Sequence, residues 1–222
     1  MLGILYDIHG NLPALDRVLE EAGSLDIDRW LLGGDYGTPS PWPEETLTRL
    51  KELPNATWIR GNGERWLREP PLDRPEVMET YELFRGSLAD ELVDWLYGLP
   101  TQAELDGNLY VHGSPLSDVE SFPAAPSEDD ERMLAGVRDR TIVFGHSHRQ
   151  FRRPGPAGTE LINPGSVGMP LDGDVRSAWA TWDGDFQLRR TEYDVARAAE
   201  GYRALAGDFG EFAAGRIERG SD

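Results

Sequence analysis

The chain is predicted to fold as a single α/β (α+β) domain, and three observations carry that prediction. Short apolar runs ending in Gly, Asp, Asn or His alternate with stretches of helical spacing, so the opening reads β-α-β-α-β. A helical stretch separates this opening from a second set of short strands. Finally, 222 residues with 39% apolar and 9% aromatic side chains suffice for one sizeable core, and no linker, repeat or low-complexity tract divides them. The alternation implies a sheet with at least a parallel portion and helices on its faces, because parallel neighbours need a crossover.

Each element has a local reason. Residues 2–6 are apolar and too few for a buried helix, so they read as a strand. Leu12, Leu15, Val18, Leu19 and Ala22 recur at helical spacing, with Asn11 to cap the helix and Gly23 to stop it. A second strand at 30–32 ends at Gly33-Gly34-Asp35, and a loop with Pro39, Pro41 and Pro43 leads to a helix over 44–53. A third strand at 57–59 ends at Arg60-Gly61-Asn62. Residues 76–99 read as helix broken at Gly86, with Leu88, Leu92, Trp95 and Leu96 as a buried stripe. Strands follow at 109–111, 141–144, 160–162, 178–182 and 186–193, the last two joined by the turn Asp183-Gly184-Asp185. A helix over 194–205 precedes a Gly-rich tail, 206–222, expected to fray, and the domain spans 1–222.

Charge narrows the partners. Asp and Glu number 40 against 22 Lys and Arg, a net charge of −18, and such a field repels polyphosphate and excludes passive nucleic-acid binding. Anionic membrane surfaces are disfavoured for the same reason. The opening apolar run meets an acid at Asp7, too soon for a signal-peptide core, and no stretch reaches the ~18 uncharged apolar residues of a spanning helix. A cytoplasmic protein away from the membrane is expected. Lys51 is the only lysine, and an acidic, lysine-poor surface is also what a salt-adapted cytoplasm favours. The absence of cysteine excludes a disulfide, a thiolate metal site and a cysteine nucleophile, leaving carboxylate, imidazole and amide donors.

Those donors are not scattered. Asp7 and His9, Asp35, Asn62, His112, and His146 with His148 each fall just past the C-terminal end of a predicted strand. In sheets with a parallel portion the loops at those ends converge on one crevice. A lone histidine is more often a hydrogen-bonded core or surface residue than a ligand, but here all 4 histidines occupy strand ends together with Asp and Asn. These O and N donors suit Mn, Fe, Zn, Co or Ni. Seven donors exceed the needs of one ion and suit two ions sharing a bridging carboxylate and a water. Two ions roughly 3.5–4 Å apart lower the pKa of that water, provide hydroxide near neutral pH and clamp a phosphate for in-line attack.

The segments Asp7-Ile8-His9-Gly10-Asn11, Gly34-Asp35, Gly61-Asn62, Val111-His112-Gly113 and Gly145-His146-Ser147-His148 resemble the five ordered motifs of the calcineurin-like metallophosphoesterase family. Ile162-Asn163-Pro164-Gly165-Ser166-Val167-Gly168 further resembles a segment of its small bacterial phosphodiesterase branch. The resemblance implies a four-layer αββα sandwich of two mixed β-sheets with a dimetal site at the strand ends. It implies that Asp7, His9 and His148 hold the first metal, that Asn62, His112 and His146 hold the second, and that Asp35 bridges. Asp35, Asn62 and His112 are also the candidate catalytic residues. The implied cofactors are two divalent metal ions, manganese first, with Fe, Zn, Co or Ni as alternatives.

Two departures from the family pattern shape the expected activity. Where many members carry a histidine after Gly-Asn, this chain has Gly63, which cannot transfer a proton, so activated leaving groups are favoured. Glu64 is a candidate substitute, or else a loop carboxylate or the ion-pair partner of Arg65. Around the bridging position, Asp35-Tyr36-Gly37-Thr38-Pro39 lacks the arginine-bearing motif of the protein-phosphatase and dinucleoside-tetraphosphatase branches, which ranks those activities low. Arg60 and Arg65 are candidate phosphate contacts or a solvated surface pair. Trp66, Tyr36 and Trp42 are candidates to stack on a nucleobase or simply to pack.

The expected function is dimetal phosphodiester hydrolysis of a small phosphate-ester substrate, which can be nucleotide-like. A phosphomonoesterase or nucleotidase using the same site is the enzymatic rival. The other rival is a non-catalytic scaffold, since the fold also serves a trafficking subunit that has lost histidine ligands; retention of every ligand here argues against it. A homo-oligomer is compatible with the sequence.

Overall fold

Apolar runs such as 2–6 leave no polar face to show to water, so the strands they form must be covered on both sides. The computed structural model describes every residue except Thr38, Ser87 and Ala206, and every side chain within its helices and strands except those of Pro75, Glu76, Glu79 and Leu83. Thr38 of the loop after Asp35 and Ala206, the first residue of the expected tail, therefore lie outside the described residues. The first half of the chain forms β1 (Leu2–Leu5), α1 (Leu12–Ala22), β2 (Arg29–Leu32), α2 (Pro43–Lys51), β3 (Ala56–Trp58), α3 (Asn62–Trp66), α4 (Pro75–Arg85) and α5 (Asp90–Tyr97). Next come β4 (Gln102–Leu105), β5 (Asn108–Val111), α6 (Asp130–Met133), β6 (Thr141–Val143), β7 (Phe151–Pro154) and β8 (Glu160–Asn163). The chain closes with β9 (Ser177–Trp182), β10 (Phe186–Thr191), α7 (Val195–Arg203) and α8 (Asp208–Arg219).

The strands build two mixed sheets, ordered β10-β9-β1-β2-β3 and β4-β5-β6-β8-β7. β1, β2 and β3 run parallel, with Ile4 beside Leu31, while β9 returns antiparallel on the other side of β1. In the second sheet β5, β6 and β8 are parallel and β4 and β7 are antiparallel edges. Strand alternation sends Leu2, Ile4, Tyr6, Leu31, Tyr110, Val143, Ile162 and Ala180 into one core between the sheets. Leu5, Trp30, Leu32 and Trp179 face outward onto Ala14, Leu15 and Val18 of α1 and Leu47 and Leu50 of α2. Each fully buried Leu or Ile contributes about 1.5–3 kcal/mol. The outer face of the second sheet, with Leu109, Ile142, Phe144 and Leu161, is covered by Phe122, Met133 and Leu134. That fourth layer is a loop-rich cover whose helix, α6, has only 4 residues.

α1 begins as its cap predicts, with the Asn11 side chain accepting from the Ala14 amide at 3.1 Å. The helical region after 75 breaks at Gly86 as expected, giving α4 and α5. Its stripe is only partly buried: Leu88 and Leu96 are inside, but Trp95 is 37% exposed, edge-on to Trp58 with the Lys51 ammonium over its ring.

The expectation of a fraying tail is not met. α8 is a 12-residue helix that packs on α7. Its small residues allow close approach: a Cβ at Gly210 would sit 2.3 Å from the Tyr202 carbonyl oxygen, and Ala213, Ala214 and Ile217 are buried beside Ala198, Ala199 and Tyr202. Composition that reads as flexibility is here a helix-packing face. Among the described residues no helix is long and apolar enough to cross a membrane.

Candidate metal centre

The seven predicted ligands leave seven different points of the chain and meet at one end of the two sheets. Their loops are welded together by backbone hydrogen bonds: Asp7 N–H donates to Gly34 O, His9 N–H to Asp35 O, and Gly145 N–H to His112 O. Five of the ten non-glycine residues with positive φ among the described residues are ligand candidates, Asp7, His9, Asp35, His146 and His148. Left-handed backbone costs such residues about 1 kcal/mol or more each, and strain of this kind gathers where side-chain aim matters more than local comfort.

Asp7 lies at the junction. Its Oδ2 accepts from the His146 amide at 2.9 Å, whereas its Oδ1 is buried with no hydrogen-bond partner. Around Oδ1 stand His148 Nε2 at 3.5 Å, His112 Nε2 at 3.8 Å and His9 Nε2 at 4.0 Å. These distances are too long for hydrogen bonds. They suit donors of a shared ion, which bind at about 2 Å and so stand about 3–4 Å from one another. A buried carboxylate oxygen left unpartnered is expensive unless a cation belongs there.

The remaining candidate ligands close the site. His9 Nε2 and His148 Nε2 face each other at 2.9 Å. The Asn62 amide oxygen stands 3.1 Å from His112 Nε2 and 2.7 Å from His146 Nδ1, so three lone-pair atoms converge. Asp35 spans the two groups, with Oδ1 3.5 Å from His112 Nε2 and Oδ2 3.9 Å from His9 Nε2. Donor atoms of Asp7, His9 and His148 lie within 4.8 Å of one another, and so do those of Asp7, Asp35 and His112. Asp7 thus reaches both groups, which its place in the sequence did not disclose.

Further interactions fix which way the rings point. His112 Nδ1 lies 2.8 Å from Gly33 O and His148 Nδ1 2.9 Å from Met169 O, so each carbonyl takes the Nδ1 proton and turns Nε2 toward the site. Burial opposes charge on His112, but the Asp35 and Asp7 carboxylates outweigh it and push its pKa up to about 10. Burial, reinforced by neighbouring His148 for His9 and His112 for His146, pushes both of those rings down to about 4. Burial would raise Asp35, yet His112 holds its carboxyl well below the usual carboxylate range. The two buried carboxylates therefore favour positive charge at the site. Metal affinity should fall as pH drops and protons compete for these donors.

Some expectations change here. Glu64 is neither an acid facing substrate nor a partner of Arg65. It is buried, and its carboxylate accepts the backbone N–H groups of Asp35 and Gly61 at 2.9 Å each and Tyr36 at 2.8 Å. Burial, then the Asp35 charge, pushes its pKa up to about 7. Arg65 is not a phosphate contact, because it forks onto both Asp118 oxygens at 2.7 and 2.8 Å. Nor is Arg60, whose guanidinium donates to Tyr97 O at 2.7 Å and lies over the Tyr97 ring. Tyr36 is fully buried with its hydroxyl on Leu32 O and Ile59 O, and Trp42 packs against Gly201 of α7, so neither can stack on substrate. Trp66 does line the cavity that the candidate ligands share.

Residues 163–168 brace the site. Ser166 Oγ donates to Asp7 O at 2.6 Å, Asn163 Nδ2 to Gly145 O at 3.0 Å, and Asn11 Nδ2 to Gly168 O at 2.7 Å. A Cβ at Gly168 would sit 1.8 Å from Ile8 O. Gly168→Ala should therefore displace the Asp7–His9 turn and weaken metal binding at least about tenfold, measured by manganese titration.

The family model of the calcineurin-like phosphoesterase superfamily domain matches residues 1–184. The chain belongs to that superfamily. An uncharacterized protein of Methanocaldococcus jannaschii, MJ0912, is 26% identical over 224 residues, covering 90% of each chain. The metallophosphoesterase of Sphaerobacter thermophilus superposes with a TM-score of 0.80 at 24% identity, covering 99% of this chain and 98% of that one. YfcE, a phosphoesterase from E. coli, gives a TM-score of 0.53 at 21% identity, over 86% of this chain and 99% of that one. Both superpositions show the shared fold, and the two mixed sheets match the sandwich that the sequence motifs implied. As a metallophosphoesterase-family member the chain is a phosphoester hydrolase by descent, and its family implies a dimetal site.

The superfamily member's missing histidine now has a local explanation. A Cβ at Gly63 would lie 2.9 Å from Asp35 Oδ1 and 3.2 Å from the Tyr81 hydroxyl, while the Gly63 N–H donates to Asp35 Oδ1 at 2.7 Å. Gly63→His should not raise activity; pushing Asp35 aside should lower turnover of activated esters about tenfold or more, read by steady-state kinetics.

Proposed function

We propose that the protein is a dimetal phosphodiesterase that hydrolyses a small phosphate ester in the cytoplasm. The observation that carries this reading is the buried, unpartnered Asp7 Oδ1 at the meeting of three imidazole nitrogens. Asp7, His9 and His148 would hold one ion, Asn62, His112 and His146 the other, and Asp35 would bridge them, with manganese the favoured metal. When bound, the two ions supply Lewis acidity that lowers the pKa of water at the site and neutralises charge on the phosphate. The chain's own residues aim and hold these donors. Gly33 and Met169 carbonyls orient two imidazoles, the Gly63 amide fixes Asp35, and Glu64 locks the loop that carries it.

Two features favour a diester. The cavity in front of the ligands has no lysine, and Arg216, the only arginine among its described lining residues, is paired with Asp222. A monoanionic diester needs less compensating charge than a dianionic monoester. Gly63 offers no proton to a departing alkoxide, so esters of p-nitrophenol should turn over at least about 100-fold faster than alkyl esters.

The test is hydrolysis of bis(p-nitrophenyl) phosphate beside p-nitrophenyl phosphate with manganese added. Manganese-dependent turnover that favours the diester is expected. A large preference for the monoester would install the phosphomonoesterase reading, and no bound metal with no turnover for any divalent ion would remove the enzyme reading.

A further inference from the structure

The metal ligands form only one end of a cavity of about 910 Å³. Part of the remaining lining comes from α8, which lies beyond the residues matched by the family model. Among its described lining residues are four aromatic rings from three helices: Trp66 of α3, Tyr81 of α4, and Phe209 and Phe212 of α8. Trp66 and Tyr81 meet edge-on with ring centroids 5.4 Å apart. Phe212 is 54% exposed although it sits on a helix whose opposite face is packed. The Arg216 guanidinium lies 4.3 Å above its ring centroid and is paired with Asp222.

An opening of this size lined by aromatic rings matches the character of small-molecule sites, which are largely apolar with a few polar groups that set orientation. Its cations are too few for a polyphosphate chain, which calls for several arginine or lysine contacts. Aromatic walls favour a flat ring over an aliphatic group of similar size, because stacked or edge-on rings gain from their quadrupoles beyond the area they bury.

We propose that the substrate is a phosphate ester bearing an aromatic ring system, with the ring seated against Phe212, Phe209 and Trp66 while the phosphate faces the metal ligands. This rests on the dimetal reading and adds the class of substituent. α8 is then a specificity element, not a structural appendage.

Phosphonates, each used as its monoanionic methyl ester so that it carries a diester's charge and a P–C bond in place of the scissile bond, test it on the manganese-loaded full chain by calorimetric titration. Phenylphosphonate should bind at least about tenfold tighter than methylphosphonate and several-fold tighter than cyclohexylphosphonate. Phe212→Ala, a substitution at an exposed position, should reduce the phenyl-over-methyl ratio to about threefold or less. A nucleoside 5′-phosphonate distinguishes a nucleobase from a simple aryl group as the source of the ring, and an advantage over methylphosphonate for either one supports the proposal. Equal metal-dependent binding of phenyl- and methylphosphonate would overturn it while leaving the dimetal centre intact. So would cyclohexylphosphonate binding as tightly as phenylphosphonate. A Phe212→Ala variant that changes oligomeric state but keeps the phenyl advantage would assign Phe212 to contact with a second copy and overturn it too. Phosphonates that bind with no dependence on metal, or not at all, would overturn the dimetal reading with it.

Discussion

Asp35→Asn lowers turnover of an activated phosphodiester by about three orders of magnitude or more and removes at least one bound ion. The asparagine oxygen can still accept from the Gly63 amide where Asp35 Oδ1 does, at 2.7 Å, so the loop keeps its shape. What is lost is the negative charge and the second oxygen, which stands 3.9 Å from His9 Nε2. An amide nitrogen there donates instead of accepting and cannot ligate. Metal content by elemental analysis, kinetics and the melting temperature separate these effects: wild-type stability without metal-dependent activity is the expected pattern. A variant with near-wild-type activity and two ions would remove Asp35 from the bridging role.

Glu64→Ala is expected to be the most damaging single change outside the candidate ligands. It strips one acceptor from each of three buried amides, those of Asp35, Tyr36 and Gly61. Bonds to a carboxylate are individually stronger than neutral ones, and leaving the donors buried and unpaired costs about 4 kcal/mol in all. In a chain of this size that lowers Tm by about 8–16 °C. Because the same amides belong to the Asp35 loop and to the residue before Asn62, manganese affinity should fall about 10–100-fold. Glu64→Gln is graded: its oxygen can keep the Asp35 and Gly61 bonds, but its NH2 group meets the Tyr36 N–H. Calorimetry and metal titration check both variants, and a Tm shift under about 2 °C for the alanine would contradict the clamp.

Glu64 also shows where the sequence stops being legible. The candidate ligands could be placed together because strand ends are marked by apolar runs and punctuated by Gly, and because parallel topology gathers those ends. Asp7, His9, Asp35, Asn62, His112, His146 and His148 all meet as that argument required. What a carboxylate such as Glu64 touches depends on how Asn62 opens a five-residue helix, and no periodicity announces so short an element. The arginines were illegible for the same reason: Arg65 is decided by Asp118, 53 residues away. Likewise, β4 alternates Gln102, Ala103, Glu104 and Leu105 as an edge strand without an apolar run. The tail misled through composition, since Gly210 serves close contact with Tyr202 and not freedom. It is this tail, as α8, that lines part of the cavity shared with the candidate metal ligands.

The most direct measurement of the central claim is anomalous diffraction at the manganese edge from a crystal of the manganese-loaded protein. Two peaks roughly 3.5–4 Å apart are predicted, one against Asp7, His9 and His148, the other against Asn62, His112 and His146, with Asp35 touching both. A single peak, or peaks placed away from Asp7 Oδ1, would contradict the dimetal account.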